Sequence, residues 1–262
     1  MPPRVRIRVC LYAVLGVSLA ALPWGFVDTN SRLSLAWTTL VLSLGTYLTW
    51  CFWPRWTLGL ACDPLALLPE TPGQTIRLSF DDGPTPGLTD RILDLLAEHG
   101  VRASFFVLLM KARAQPDLIR RIVAEGHLLG LHGEDHRAPF FRGAGELRAS
   151  LDRARADLEQ LAGRPVTLYR PSHGWKNLAL LIALRPLPLE ICTWHAGVWD
   201  TDGPPADVLT ARLLSVTPRT AMPLKPIVLL HDGLGDEGGV PRHADALIES
   251  LQRWLPVTRS GA

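Results

Sequence analysis

From Ile76 toward its end the sequence alternates short apolar runs with amphipathic stretches, and that alternation restricts the chain to few folds. Ile76, Leu78 and Phe80 alternate with polar residues as in a strand. Residues 89–99 fit a helix closed by Gly100, residues 104–108 a strand, and residues 117–125 a second helix closed by Gly126. Residues 128–131 are the next strand. Leu147, Leu151, Ala154, Leu158 and Leu161 then recur at helical spacing up to Gly163, and residues 166–169, 190–194 and 227–230 read as further strands. Strand and helix in repeated succession predict an α/β fold on a mostly parallel sheet, either open or rolled into a barrel. Chemistry in such folds sits on loops at the C-terminal ends of the strands.

The 262 residues leave room for one domain of ordinary size plus an appendage. Residues 9–27 and 33–53 are each roughly 20 residues without a charged side chain, the length that crosses a bilayer, and predict a two-helix transmembrane hairpin. Trp24 and Trp37 lie near the hairpin loop, and Trp50, Trp53 and Trp56 cluster at the far end, as interfacial aromatics do. Arg4, Arg6, Arg8 and Arg55 flank the hairpin while its loop carries only Arg32, so the bias places both ends, and the later domain, in the cytoplasm. A signal peptide ending near Ala20 is the other reading of the first segment. The expected organisation is an anchor at 1–57, a proline-rich linker at 58–73 and a catalytic domain at 74–262. With 27 basic against 25 acidic residues the charge is too balanced for a nucleic-acid surface. Cys10, Cys51, Cys62 and Cys192 show neither disulfide nor thiolate-metal spacing and read as buried thiols.

Three constellations carry chemistry. Leu78-Ser79-Phe80-Asp81-Asp82-Gly83-Pro84 sets two carboxylates at a strand end before a Gly-Pro turn, where an acidic capping turn would also suit. His132 and His136 stand at i, i+4, a spacing that lets two imidazoles converge on one ion if the segment is helical. With Asp82 they form the two-nitrogen, one-oxygen set of a catalytic zinc site that keeps positions open. Ile227 to Leu230 is an apolar strand delivering His231, whose ordinary pKa suits proton transfer to a leaving amine, although a strand cap explains it too. His127 reads as a hydrogen-bonded packing histidine.

Taken in order, these pieces resemble the polysaccharide deacetylase family, also called the NodB-homology domain or carbohydrate esterase family four. The resemblance covers about 180 residues, from Gln74 to Pro256. It is carried by Ser79 to Gly83, by His132 to His136, by Arg170-Pro171-Ser172-His173-Gly174 and by Leu229-Leu230-His231-Asp232. The family implies a distorted or incomplete (β/α) barrel, with Asp81 as general base and Asp82, His132 and His136 as metal ligands. It further implies Arg170 as the partner of Asp81, His231 as general acid and Asp200 as the carboxylate that orients it. Trp199 and Leu229 would wall the acetyl pocket, and the backbone N–H at His173 would meet the oxyanion. Gly133 departs from the family's usual Ser or Thr, Ser172 and His173 from its Pro and Tyr, and the region of Asp200 from its usual fourth motif.

The resemblance thus predicts a metal-dependent N-deacetylase of an amino sugar. Zinc is the expected ion, with cobalt, nickel or manganese suited to the same ligands. The membrane hairpin favours a polyprenyl-phosphate-linked sugar used in envelope or lipid A modification, at a bacterial inner membrane. The alternatives are an extracytoplasmic polymer such as peptidoglycan or poly-N-acetylglucosamine, a deformylase, and a non-catalytic glycan-binding module.

Overall fold

The computed structural model describes residues 29–52, 73–217 and 225–258. Its centre is a parallel sheet of seven strands among the described residues: β1 (Arg77–Asp81), β2 (Ala103–Leu108), β3 (Leu128–Gly133), β4 (Leu168–Tyr169), β5 (Glu190–Ile191), β6 (Ala196–Gly197) and β7 (Ile227–His231). They lie in the order β5-β4-β3-β2-β1-β7-β6, so among the described residues β5 and β6 are the outermost strands of a curled half-barrel. This is the incomplete barrel that the family resemblance implied.

Helices α2 (Thr89–Glu98), α3 (Leu109–Ala114), α4 (Pro116–Ala124), α5 (Ala144–Ala162), α6 (Leu178–Leu184), α7 (Ala206–Val216) and α8 (Ala244–Trp254) connect and cover the strands. Every residue of β1 and β2 is buried, as expected when a parallel sheet is covered on both faces. The Phe80 and Phe105 rings stack at 5.1 Å between neighbouring strands, and Ile92, Leu96, Ile119, Leu158 and Trp254 pack from the helices. Helix α5 ends on Gly163 at φ 65, the left-handed cap that only glycine adopts without penalty.

The sheet brings the C-terminal ends of β1, β3, β4 and β7 to one edge of the half-barrel. Asp81 closes β1 and is registered directly against His231, which closes β7. Across β3, Leu131 pairs with Tyr169, so His132 and Arg170 emerge side by side.

The expected membrane hairpin is not seen among the described residues. Its first segment lies outside the described residues, and among those residues no helix is long and apolar enough to cross a membrane. The second segment forms helix α1 (Thr29–Phe52), in which threonines interrupt the leucines. The hydroxyls of Thr38 and Thr49 fold back on the carbonyls of Ser34 and Gly45, each at 2.8 Å. The last turn of α1 packs on the half-barrel, with Cys51 buried.

Candidate active site

Asp82 is the pivot of the site. It adopts φ 70, and while Asp81 pairs with Arg170, Asp82 faces two imidazoles, so adjacent residues serve different surroundings. Its Oδ1 lies 3.2 Å from Nε2 of His132 and 3.3 Å from Nε2 of His136 and has no hydrogen-bond partner. Its Oδ2 accepts from the backbone N–H of Gly235 at 2.9 Å, and its carbonyl accepts from Nζ of Lys111 at 2.9 Å.

His132 faces the carbonyl of Arg170 through Nδ1 at 2.8 Å. A carbonyl only accepts, so Nδ1 carries the proton and Nε2 presents a lone pair to Asp82. The ligating atoms of Asp82, His132 and His136 lie within 4.8 Å of one another. The His132 lone pair, the His136 imidazole and an unpartnered carboxylate oxygen, gathered in one place, are an arrangement that a divalent cation satisfies. The donor set therefore fits a metal. Burial would raise the Asp82 carboxyl, but the two imidazoles hold it well below the usual carboxylate range. Burial also pushes His136 down, toward the neutral form a ligand needs.

The two histidines converge without the helix on which the i, i+4 argument was conditional. His132 is in β3 and His136 lies in the bend that follows, where Gly133 at φ 139 turns the chain. Convergence then comes from the turn, and Asp236 secures it by accepting from the backbone N–H of His136 at 2.6 Å.

Asp81 meets the guanidinium of Arg170 at 2.7 Å. Arg170 is wholly buried, and its remaining donors reach Ser79 Oγ at 2.9 Å and the carbonyls of Cys192 and Thr193 at 3.0 and 3.2 Å. Its plane also covers the Phe106 ring at 3.8 Å. A charge so far from water is tolerable only with such complete pairing, and the result is a fixed carboxylate beside the ligands.

His231 completes the group. Asp200 Oδ1 lies 2.9 Å from its Nδ1, which leaves Nε2 for the cleft. Burial opposes charging of the ring, but the Asp200 carboxylate outweighs it and pushes His231 up to about 9. The cleft, about 730 Å³ in volume, is lined by Asp81, Asp82, His231, His173, Trp199 and Leu229 among others. Trp199 and His173 both hold positive φ, 56 and 58, and Trp199 is 67% exposed at the rim.

All ten residues singled out in the sequence thus lie at one cleft or directly behind it. His127 lies apart, buried, with Nδ1 accepting from the backbone N–H of Ala103 at 3.2 Å. Sequence reasoning missed three contributors: Lys111 beneath Asp82, the loop of Gly235 and Asp236, and His243, whose Nε2 lies 3.2 Å from the carbonyl of His231. The glycines of Gly233-Leu234-Gly235 were the one available hint, as marks of close backbone approach.

A family model for polysaccharide deacetylase matches residues 69–191. A chitooligosaccharide deacetylase of Sinorhizobium fredii is 32% identical over 191 residues, which is 71% of this chain and 86% of the relative. A peptidoglycan-N-acetylglucosamine deacetylase of Bacillus cereus is 32% identical over 181 residues, 69% of this chain and 62% of the relative. Among solved structures, the Bc1960 peptidoglycan N-acetylglucosamine deacetylase in complex with 4-naphthalen-1-yl-N-oxidanyl-benzamide superposes with a TM-score of 0.61 at 27% identity, covering 73% of this chain and 85% of that one.

Proposed function

The chain belongs to the polysaccharide deacetylase family, and from that premise we propose that it is a metal-dependent hydrolase removing N-acetyl groups from N-acetylglucosamine units of a chitooligosaccharide- or peptidoglycan-type glycan. One observation carries the reading: the unpartnered Asp82 oxygen lies 3.2 and 3.3 Å from two imidazole nitrogens, beside a carboxylate fixed by Arg170.

Asp82, His132 and His136 are the residues that would hold the metal. A divalent ion supplies, when bound, Lewis acidity toward the amide carbonyl and a water that ionises near neutral pH. Asp81, aimed by Arg170, accepts the proton of the attacking water. The backbone N–H of His173 stabilises the charge that develops on the amide oxygen. His231, kept protonated by Asp200, gives its proton to the sugar nitrogen as the C–N bond breaks, so acetate and a free amine leave. Leu229 and Trp199 flank the acetyl methyl.

The names of the relatives favour a polymer-type glycan over the lipid-linked sugar expected from the apolar segments. Placement of the domain in the cytoplasm rests on the arginine distribution alone. The test is acetate release from N-acetylated chitooligosaccharides and from peptidoglycan, measured on metal-stripped and zinc-, cobalt-, nickel- or manganese-reloaded protein. Release that requires the metal supports the reading. No release by protein carrying one ion per chain overturns it.

A further inference from the structure

One wall of the cleft comes from α1, which precedes the segment matching the family. The last two turns of this helix are tied to the half-barrel at two points. The backbone N–H of Lys176 donates to the carbonyl of Cys51 at 3.0 Å, and that of Leu178 to the Tyr47 hydroxyl at 3.4 Å. Phe52 then packs 4.8 Å from Phe140 and edge-on at 5.3 Å from Trp175.

Phe52 and Trp175 line the same cleft as Asp81 and His231. A file of rings leads outward from the ligands: His136 to His173 at 4.4 Å, His173 to Trp175 at 5.1 Å, and Trp175 to Phe52. The cleft, at about 730 Å³, far exceeds the room an acetamido group fills and suits a ligand of several rings. A pyranose ring carries C–H bonds on its faces and hydroxyls at its rim. An aromatic wall covers the face while the rim stays wet.

On the deacetylase reading above, we infer that Phe52, with Trp175, forms a subsite for the sugar next to the one being deacetylated. Helix α1 is thereby a specificity element that favours oligomers over single sugars. A purely structural Phe52 would instead serve only to hold α1 in place.

The experiment compares kcat/KM for an N-acetylglucosamine tetramer and for the monomer, in the full chain and in Phe52→Ala and Phe52→Trp. Phe52→Ala is expected to lower the tetramer-to-monomer ratio roughly 3–10-fold, chiefly through KM for the tetramer, and Phe52→Trp to restore it. An unchanged ratio, or equal losses on both substrates, overturns the subsite. Calorimetric titration of the tetramer into chelator-treated wild type and Phe52→Ala separates the two readings. Weaker binding by the variant supports the subsite even where no acetate is released, an outcome that would defeat the deacetylase reading alone. Equal affinities overturn the subsite whatever the activity.

Discussion

Asp200 holds His231 by both carboxylate oxygens: Oδ2 accepts from the backbone N–H at 2.8 Å while Oδ1 faces the ring Nδ1 at 2.9 Å. The double contact fixes both the strand end and the imidazole. Asp200 is wholly buried, so the pairing is little screened by water.

The pairing predicts a pH profile. With His231 raised to about 9, the acid form survives through neutral pH and is lost as pH climbs through that value. Asp200→Asn removes the attraction that outweighs burial, so the ring pKa falls and the alkaline limb of kcat moves to lower pH. His231→Ala should cost roughly 100–10,000-fold in kcat, with Asp200→Asn milder. An Asp200→Asn profile superimposable on wild type would remove Asp200 from this role and leave Asp202 as the next candidate.

The adjacent carboxylates should separate under mutation. Asp82→Asn, which weakens the oxygen facing His132 and His136, is expected to lose the ion, whereas Asp81→Asn keeps it and loses about 100-fold or more in rate. Metal analysis after gel filtration reads both. Equal metal loss in the two variants would contradict separate roles.

Much of the fold was legible because its period was clean. The strand at Ile76 to Phe80 and the helix repeating from Leu147 to Leu161 follow from spacing alone, and polar residues at strand ends marked Asp81, Asp82, His132 and His231. Strand β6 has only Ala196 and Gly197, too short for any period, and α3 follows β2 so directly that Leu109 and Met110 merge with the apolar run of the strand. The contact from Gly235 to Asp82 spans 153 residues and leaves no local pattern. Phe52 was hidden because its uncharged surroundings read as a membrane span, whereas the end of α1 is taken up by the half-barrel.

Arg170 is the least replaceable side chain of the site. Removing it strands the buried Asp81 carboxylate along with the carbonyls of Cys192 and Thr193, and breaking such a buried pair costs about 3–5 kcal/mol. Arg170→Met should therefore lower the denaturation midpoint as well as activity. Arg170→Lys should recover little of either, because an ammonium cannot reach the same four partners in one plane. Full stability in Arg170→Met, measured by urea titration, would contradict this account.

Gly133 gives a last prediction, one that runs against the family's habit of a hydroxyl residue after the first histidine. A Cβ at Gly133 would meet the carbonyl oxygen of Asp135 at 2.8 Å, and its φ of 139 lies where side chains are rarely accepted. His132 already takes its orientation from the carbonyl of Arg170, so a hydroxyl at 133 has little to add. It has much to disturb, because the same turn aims His136 at Asp82. Gly133→Ser should weaken metal affinity by roughly tenfold or more, within the range seen when the surroundings of a ligand are altered. Competition with a chelator of known affinity measures the change, and Gly133→Ala, which adds only the Cβ, should show nearly the whole effect. Tighter metal binding in Gly133→Ser would mean that the turn has room to relax and that the missing hydroxyl is a true deficit.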